Sequence, residues 1–338
     1  MTVRAYAVDQ VGSPVRVHEY EPPPLGPLEV DVAVTHCGIC HTDVGMVDDE
    51  WGISRFPMVA GHEAVGVVVG LGDAVDLTRL AVGQRVGVGA TPGSCFACEW
   101  CLSGAQQHCP DKDNTVFRGI GGAFASRVRA SDWRHVQAIP DVIPSDLAGP
   151  LLCGGSTVFA PLRWHGVRPT DRVAVVGIGG LGHLAIQFLA RWGCHVTAIS
   201  TTPDKATDAH RLGAHEFVVA GDGLGGVANS FDFVLSTVSA DLPWDAYLAT
   251  LRPRGKLCVV GVPSGPMAFG PLSLLPGERT IVGGVTGSPE DNRLMLDFAA
   301  RHGIRPVVEH FPVADIDAAL DHVRHGRARY RAVLEFPS

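Results

Sequence analysis

The sequence predicts a two-domain α/β protein, a mostly β domain followed by a doubly wound parallel sheet, with the C-terminal tail rejoining the first domain. Three observations carry that prediction. Short β-branched runs punctuated by glycine and proline extend from Val3 to about Pro140. Strand-like and helix-like segments alternate from Arg172 onward, and the run Val176-Gly177-Ile178-Gly179-Gly180-Leu181-Gly182 joins one of those strands to a helix. With 338 residues, 46% hydrophobic and 18% charged, the chain is long and apolar enough to bury two cores.

In the first domain the period-2 runs at residues 28–34, 64–69, 84–88 and 125–129 read as strands. The three prolines at 22–24 form a stiff extended turn before the first of them. In the second domain, residues 173–176 make a compact apolar strand, and 181–192 have helical periodicity ended by Gly193. Strand 195–199, helix 205–212 stopped by Gly213, and strands 217–219, 232–235 and 256–260 follow. Amphipathic segments 289–301 and 316–325 and a last strand at 332–336 form the tail. The boundaries fall at 1–153 with 288–338 for the first domain and 154–287 for the second.

Charge and composition exclude several function classes. Lys and Arg number 27 against 35 Asp and Glu, a formal charge of -8, which argues against nucleic acid or an anionic lipid surface as partner. Residues 1–11 lack an apolar stretch behind a basic start, so a cytoplasmic protein is expected. The apolar stretch 173–190 is broken by glycines and His183 and is not a membrane span. Nine cysteines, an odd number in a reducing compartment, point to metal ligands or core residues and not to disulfides.

Cys95, Cys98, Cys101 and Cys109 have the spacing C-x2-C-x2-C-x7-C. Four thiolates on one loop, about residues 93–110, make a closed tetrahedral zinc site with a structural role; an iron–sulfur cluster is the rival reading. Cys37-Gly38-Ile39-Cys40-His41-Thr42-Asp43 and Gly61-His62-Glu63 each have too few ligands to close a metal shell. Cys153 lies at the domain seam, where clefts form, and two thiolates with one imidazole would leave a fourth position for water or substrate. Spacing alone does not bring these residues together.

The glycine run has the form of a dinucleotide fingerprint: Gly177 for the turn, Gly179 for close approach of a pyrophosphate, and Gly182 for helix packing, with Gly180 and Leu181 between. The helix N-terminus would offer N–H groups to the phosphates. About twenty residues on, where an acid would bind the ribose hydroxyls of NAD, the strand ends in Ser200-Thr201-Thr202. Thr202-Pro203-Asp204 reads as a helix N-cap, N1 proline and acidic first turn. Hydroxyls in place of a carboxylate remove repulsion against a 2′-phosphate, and Lys205 adds a charge-assisted partner, so NADP(H) is expected over NAD(H).

In order and spacing, Cys40-His41-Thr42-Asp43, Gly61-His62-Glu63, the four-cysteine loop, Cys153 and the glycine run resemble the zinc-dependent alcohol dehydrogenases of the medium-chain dehydrogenase/reductase superfamily, over nearly the whole chain. The details are most similar to the cinnamyl-alcohol-dehydrogenase branch and its bacterial aldehyde-reductase relatives. The resemblance implies a GroES-like catalytic domain, a Rossmann coenzyme domain and two zinc ions per subunit. It assigns Cys40, His62 and Cys153 to the catalytic zinc and leaves Cys37 in the core. It further implies that Glu63 tunes the metal, Asp43 orients the histidine and Thr42 begins a proton relay. Relatives often end that relay on a histidine three residues later, where this chain has Gly45; His41, a cofactor hydroxyl or water would then substitute. By the same resemblance His41 and Arg331 contact cofactor phosphates, Thr157 packs on the nicotinamide and Trp51 walls the substrate pocket.

The implied reaction is reversible hydride transfer between NADPH and an aldehyde or primary alcohol. An NAD-dependent secondary-alcohol or polyol dehydrogenase is the alternative enzyme, disfavoured by the complete four-cysteine loop and the absent acid. A nucleotide-binding protein without catalysis is the alternative of a different class, disfavoured by intact Cys40, His62, Cys153 and Thr42. The segment 279–287 resembles the edge strand through which relatives pair, which implies a homodimer, with a tetramer as the larger possibility.

Overall fold

Cross-strand pairing carries the first strands well past the apolar runs that suggest them. In the computed structural model, which describes residues 2–263 and 265–337, the chain divides into two compact units, Met1–Ser156 with Thr286–Ser338, and Thr157–Val285. The first unit opens with β1 (Val3–Ala7) and β2 (Arg16–Tyr20), an antiparallel pair. Next comes β3 (Val30–Ile39), which runs through Cys37 and Gly38 because β4 (Ala64–Leu71) pairs along it antiparallel. Between them Cys40 begins α1 (His41–Val47), a helix that the strand periodicity did not suggest.

The unit continues with β5 (Arg85–Val88), α2 (Glu99–Leu102), β6 (Arg127–Ala130), β7 (Gln137–Ala138) and α3 (Ser145–Pro150). A π-helical turn, Leu151–Gly155, leads from α3 into α4 (Ser156–Trp164). Its core is built from small and β-branched side chains such as Val32, Val34, Val68, Val86 and Val128 around Phe124 and Met58. Each such buried side chain contributes about 1.5–3 kcal/mol of transfer free energy.

The second unit alternates strand and helix: β8 (Arg172–Val176), α5 (Gly182–Trp192), β9 (His195–Ser200), α6 (Ala206–Leu212), β10 (Glu216–Val219), β11 (Phe231–Ser236), α7 (Trp244–Ala249), β12 (Leu251–Val259) and β13 (Thr280–Gly283). The order across the sheet is β10-β9-β8-β11-β12-β13, every neighbouring pair parallel. Both faces of a parallel sheet are covered, which is why β8, β9 and β11 read as nearly continuous apolar runs. The stretch read as one apolar run at 173–190 is thus a strand and a separate helix, and among the described residues no helix is long and apolar enough to cross a membrane. Helices α5 and α6 end on Gly193 and Gly213 with φ of 105° and 114°, where a side chain would be strained.

The return segment supplies α8 (Pro289–His302), β14 (Val308–Pro312), α9 (Ile316–Arg324) and β15 (Arg331–Glu335). Strand β15 pairs antiparallel with the end of β3 and parallel with β14, completing the first unit's sheet in the order β14-β15-β3-β4-β5-β7, with β6 on the first half of β3. The turn Pro203–Lys205 is a 3-10 helix ahead of α6 with Thr202 at its N-cap position, Pro203 at its start and Asp204 in its first turn, as expected; the Thr202 hydroxyl donates to Asp204 Oδ2 at 3.1 Å and accepts no backbone N–H of the turn.

Candidate metal centres and nucleotide loop

The residues around Cys40 and His62 are drawn together by one carboxylate. Asp43, fully buried in the first turn of α1, accepts the Cys40 backbone N–H on Oδ2 at 2.9 Å and the Gly61 N–H on Oδ1 at 2.8 Å. The same Oδ1 lies 2.9 Å from His62 Nδ1. That engagement leaves Nε2 as the ligating nitrogen, the usual arrangement of a metal-binding imidazole. Nε2 lies 3.2 Å from Cys153 Sγ, which is 3.9 Å from Cys40 Sγ. For Zn–S of about 2.3 Å and Zn–N of about 2.0 Å, the edges of a tetrahedral shell are about 3.5–3.8 Å, so these separations suit one ion held by all three.

Cys153 reaches this position from the π-helical turn, a feature common at functional sites. Gly149, at the end of α3, allows the approach: a Cβ there would fall 2.6 Å from the Glu63 carbonyl oxygen. The Cys153 thiol shares its proton with Cys40, and that hydrogen bond lowers the Cys40 pKa well below the usual thiol value while raising Cys153. Burial opposes protonation of His62, but Asp43 and the Cys40 thiolate outweigh it and raise its pKa. Negative charge is therefore concentrated where a cation would sit.

Glu63 brings a carboxylate oxygen within 4.8 Å of the other donor atoms. Its side chain ion-pairs with Arg331, itself buried at 5% exposure. The sheet explains the meeting: Glu63 precedes β4 and Arg331 begins β15, the two strands that flank the end of β3. Gly38 lies in β3 between them, and a Cβ on it would be 1.9 Å from Glu63 Oε2. Burial raises the Glu63 pKa to about 6 against the pull of Arg331. Among the described residues Oε2 has no hydrogen-bond partner, a buried acceptor that a cation would satisfy. The Arg331 guanidinium is engaged by Glu63 beside the metal donors. No local sequence signal pairs two residues so far apart.

The other predicted residues of this region fall around the donors. Thr42 Oγ1 is 3.7 Å from Cys40 Sγ, His41 is exposed with Nε2 3.8 Å from Glu50 Oε2, and Trp51 is half-exposed with its ring against Gly45. Cys37 is fully buried in the core, and burial raises its thiol pKa well above the ordinary value. Thr157 occupies the first turn of α4 and is 9% exposed.

Cys95, Cys98, Cys101 and Cys109 form the second cluster, with their sulfurs within 4.8 Å of one another. Phe96 turns the knuckle with φ of 51°. The Ala97 and Cys98 backbone N–H groups point at Cys95 Sγ at 3.5 and 3.3 Å and lower its pKa to about 6. Preformed N–H···S contacts favour thiolates, the form that zinc binds.

The glycine loop lies after β8, where the strand order reverses between β8 and β11 and ligand crevices form in such sheets. Gly177 has φ of +88°, a Cβ on Gly182 would lie 1.9 Å from the Gly177 carbonyl oxygen, and nothing lies within 4 Å of a Cβ on Gly179. A turn, a tight helix contact and open space thus account for three glycines separately, and Gly180 and Leu181 complete the turn before α5. Ser200, Thr201 and Thr202 stand alongside, since β9 pairs with β8 in parallel and ends beside the loop. Lys205 Nζ donates to the Ile178 carbonyl at 2.8 Å, placing its charge on that loop.

Two zinc-type donor sets and a dinucleotide loop define a zinc-dependent dehydrogenase, and the chain belongs to the zinc-dependent alcohol dehydrogenases of the medium-chain dehydrogenase/reductase superfamily. Residues 26–141 match the alcohol dehydrogenase GroES-like domain, and 180–301 match the zinc-binding dehydrogenase family. The chain is 42% identical to the aldehyde reductase AdhA of Synechocystis sp. over 98% of both chains. In structure it is similar to a cinnamyl alcohol dehydrogenase of Sorghum bicolor, with a TM-score of 0.93, 33% identity, and coverage of 99% of this chain and 98% of that one. The cinnamyl alcohol dehydrogenase of Helicobacter pylori complexed with NADP(H) matches with a TM-score of 0.91, 27% identity, and coverage of 99% and 98%.

Asp43→Asn is expected to lower zinc affinity about 10–100-fold, because the amide turns a donor toward groups that now donate to the carboxylate. Chelator competition on purified protein measures the change.

Proposed function

We propose that this protein is an NADPH-dependent aldehyde reductase, working reversibly on aldehydes and primary alcohols, with one catalytic and one structural zinc per chain. The observation that carries the reading is the convergence of Cys40 Sγ, His62 Nε2 and Cys153 Sγ, with Nδ1 of the same imidazole taken up by Asp43. These three residues would hold the catalytic ion, and the four cysteines of the loop the structural one. Once bound, zinc supplies Lewis acidity toward a carbonyl oxygen, and the nicotinamide supplies hydride.

The chain's own residues do the rest. Thr42 presents its hydroxyl next to Cys40 and delivers the proton that the reduced oxygen takes up, so that aldehyde, hydride and one proton give the alcohol. Asp43 holds the His62 tautomer. Glu63, steadied by Arg331, keeps a carboxylate beside the donors and limits the net positive charge that an ion brings. His41, exposed at the start of α1, takes up a proton from solvent to restore the Thr42 hydroxyl, releasing it in the reverse direction, and Thr157 packs on the nicotinamide.

The cofactor preference rests on the hydroxyls of Ser200, Thr201 and Thr202 at the end of β9 and on the Lys205 charge at the loop. The named NADP(H) complex of the Helicobacter relative supports it. One charge-assisted hydrogen bond is worth about 1.5–3 kcal/mol, so kcat/KM with NADPH should exceed that with NADH at least about tenfold. Steady-state kinetics with benzaldehyde and both cofactors decide it, and parity or a preference for NADH overturns it.

A homodimer fits β13, which among the described residues has a neighbour on one side only in the parallel sheet. Light scattering should give about twice the 35.7 kDa chain mass, and a monomer mass would remove the proposal. Nine unpaired cysteines, six of them in these donor sets, suit the reducing cytoplasm.

A further inference from the structure

A buried histidine in the second unit does something that helix packing does not ask of it. His183 is the second residue of α5 and is fully buried, followed by the buried Leu184, Ala185 and Ile186. An imidazole in such surroundings is unfavourable unless it is hydrogen-bonded. Its Nδ1 lies 2.9 Å from the Gly179 carbonyl oxygen. A carbonyl only accepts, so Nδ1 carries the hydrogen and donates it. The same oxygen already receives the His183 backbone N–H at 3.1 Å. That bond alone starts the helical ladder, and the side-chain bond is additional.

The peptide held in this way is the one in the loop that turns over most easily. Gly179–Gly180 has no Cβ on either side, and a Cβ on Gly179 would meet nothing within 4 Å, so sterics leave both orientations of its plane open. The two orientations are opposite in charge. C=O and N–H point opposite ways across a trans peptide, so with the Gly179 oxygen turned to the buried imidazole, the Gly180 N–H faces away from it. Among the described residues that N–H has no backbone acceptor. Turned over, the peptide would show an oxygen where an anion has to bind. The two preceding carbonyls are engaged as well: Lys205 Nζ donates to that of Ile178 at 2.8 Å, and the Thr237 hydroxyl is shared between those of Val176 and Gly177 at 2.9 and 3.2 Å.

We infer that His183 is a positioning residue for the dinucleotide: its Nδ1–H holds the Gly179–Gly180 peptide in the orientation that offers the Gly180 N–H to the pyrophosphate. The inference rests on the dinucleotide reading of the glycine loop and deepens it. An N–H that meets a phosphate oxygen makes a charge-assisted bond, and a peptide fixed beforehand gives up little freedom when the cofactor arrives. The effect is confined to ligands that carry a pyrophosphate. A nucleotide bound through its 2′-phosphate alone does not reach this N–H.

The test is isothermal titration of NADPH, and of 2′-AMP, which lacks the pyrophosphate, into the zinc-loaded parent, His183→Leu and His183→Asn. Leucine fills the site without a donor, whereas asparagine places an amide nitrogen where Nδ1 stands. Expected for His183→Leu is a Kd for NADPH about tenfold higher, the scale of one charge-assisted hydrogen bond, with the Kd for 2′-AMP within about twofold. His183→Asn should stay within about threefold of the parent for both. In steady state the loss should appear in KM for NADPH, with kcat at saturating NADPH within about twofold. NADH should show the same ratios, because it carries the same pyrophosphate.

Circular dichroism and the thermal midpoint check that His183→Leu folds; where it does not, His183→Gln, whose amide sits one bond further out, takes its place with the same expectation. NADPH bound equally by parent and His183→Leu, an equal loss of 2′-AMP affinity, or an asparagine variant as weak as the leucine one overturns the inference while the dinucleotide reading stands. A parent that binds neither NADPH nor NADH removes the reading, and the role of His183 with it.

Discussion

Cys40→Ser is expected to lower kcat/KM for aldehyde reduction at least about a thousandfold while the fold stays intact. A serine hydroxyl is neutral at working pH and harder than a thiolate, so one of three protein ligands is lost for zinc. Lewis-acid stabilisation of a developing alkoxide is worth several kcal/mol, and each 1.36 kcal/mol is a factor of ten in rate. The fold is spared for a local reason. Cys40 anchors α1 through its backbone N–H, which donates to Asp43 at 2.9 Å, and that bond does not involve sulfur. Elemental analysis should find the metal content falling from about two equivalents per chain to about one, with an unchanged circular dichroism spectrum. Turnover near the parent rate in this variant is incompatible with the assignment.

Cys98→Ser should reverse the pattern, harming stability first. The lobe around it has little apolar packing of its own: α2 is four residues long, Trp100 is 46% exposed and Leu102 75% exposed. What joins its turns is a set of four sulfurs, with Cys95 and Cys109 at 3.5 Å and Cys95 and Cys101 at 3.9 Å. Structural zinc contributes about 10–16 kcal/mol of apparent binding free energy in small domains. Losing one ligand forfeits a few kcal/mol of that, and the thermal midpoint should drop by roughly 10 °C. Differential scanning calorimetry checks the shift, and residual kcat at low temperature should stay within about a few-fold of the parent. A midpoint equal to the parent's would show that the lobe does not depend on its metal.

Legibility of the site followed the distance along the chain. The four-cysteine loop and the glycine run carry their geometry within a dozen or so residues, so spacing alone pointed to a tetrahedral donor set and to a phosphate-binding turn. The alternation of strand and helix after Arg172 was readable for a similar reason: buried parallel strands and helices ended by Gly193 and Gly213 each leave a local pattern. By contrast, β1, β2, β14 and α1 were not visible. Their stability comes from partners elsewhere, as with β14, which is ordered by β15.

Cys40, His62 and Cys153 were nominated as a set only by resemblance to a family; their residue types and spacing left them three separate signals. The meeting of Glu63 with Arg331, of Trp51 with Gly45, and of Lys205 with the Ile178 carbonyl lay beyond any pattern in the chain. The sequence by itself determined the two-domain order, the four-thiolate lobe and the nucleotide turn, because contiguous residues dictate backbone turns and short-range ligand geometry. Only the tertiary structure decided which distant side chains share a donor set and which buried charges neutralise each other. Those contacts depend on the register of β4 and β15 against β3 and on how closely glycines let elements approach, quantities that belong to the packed whole.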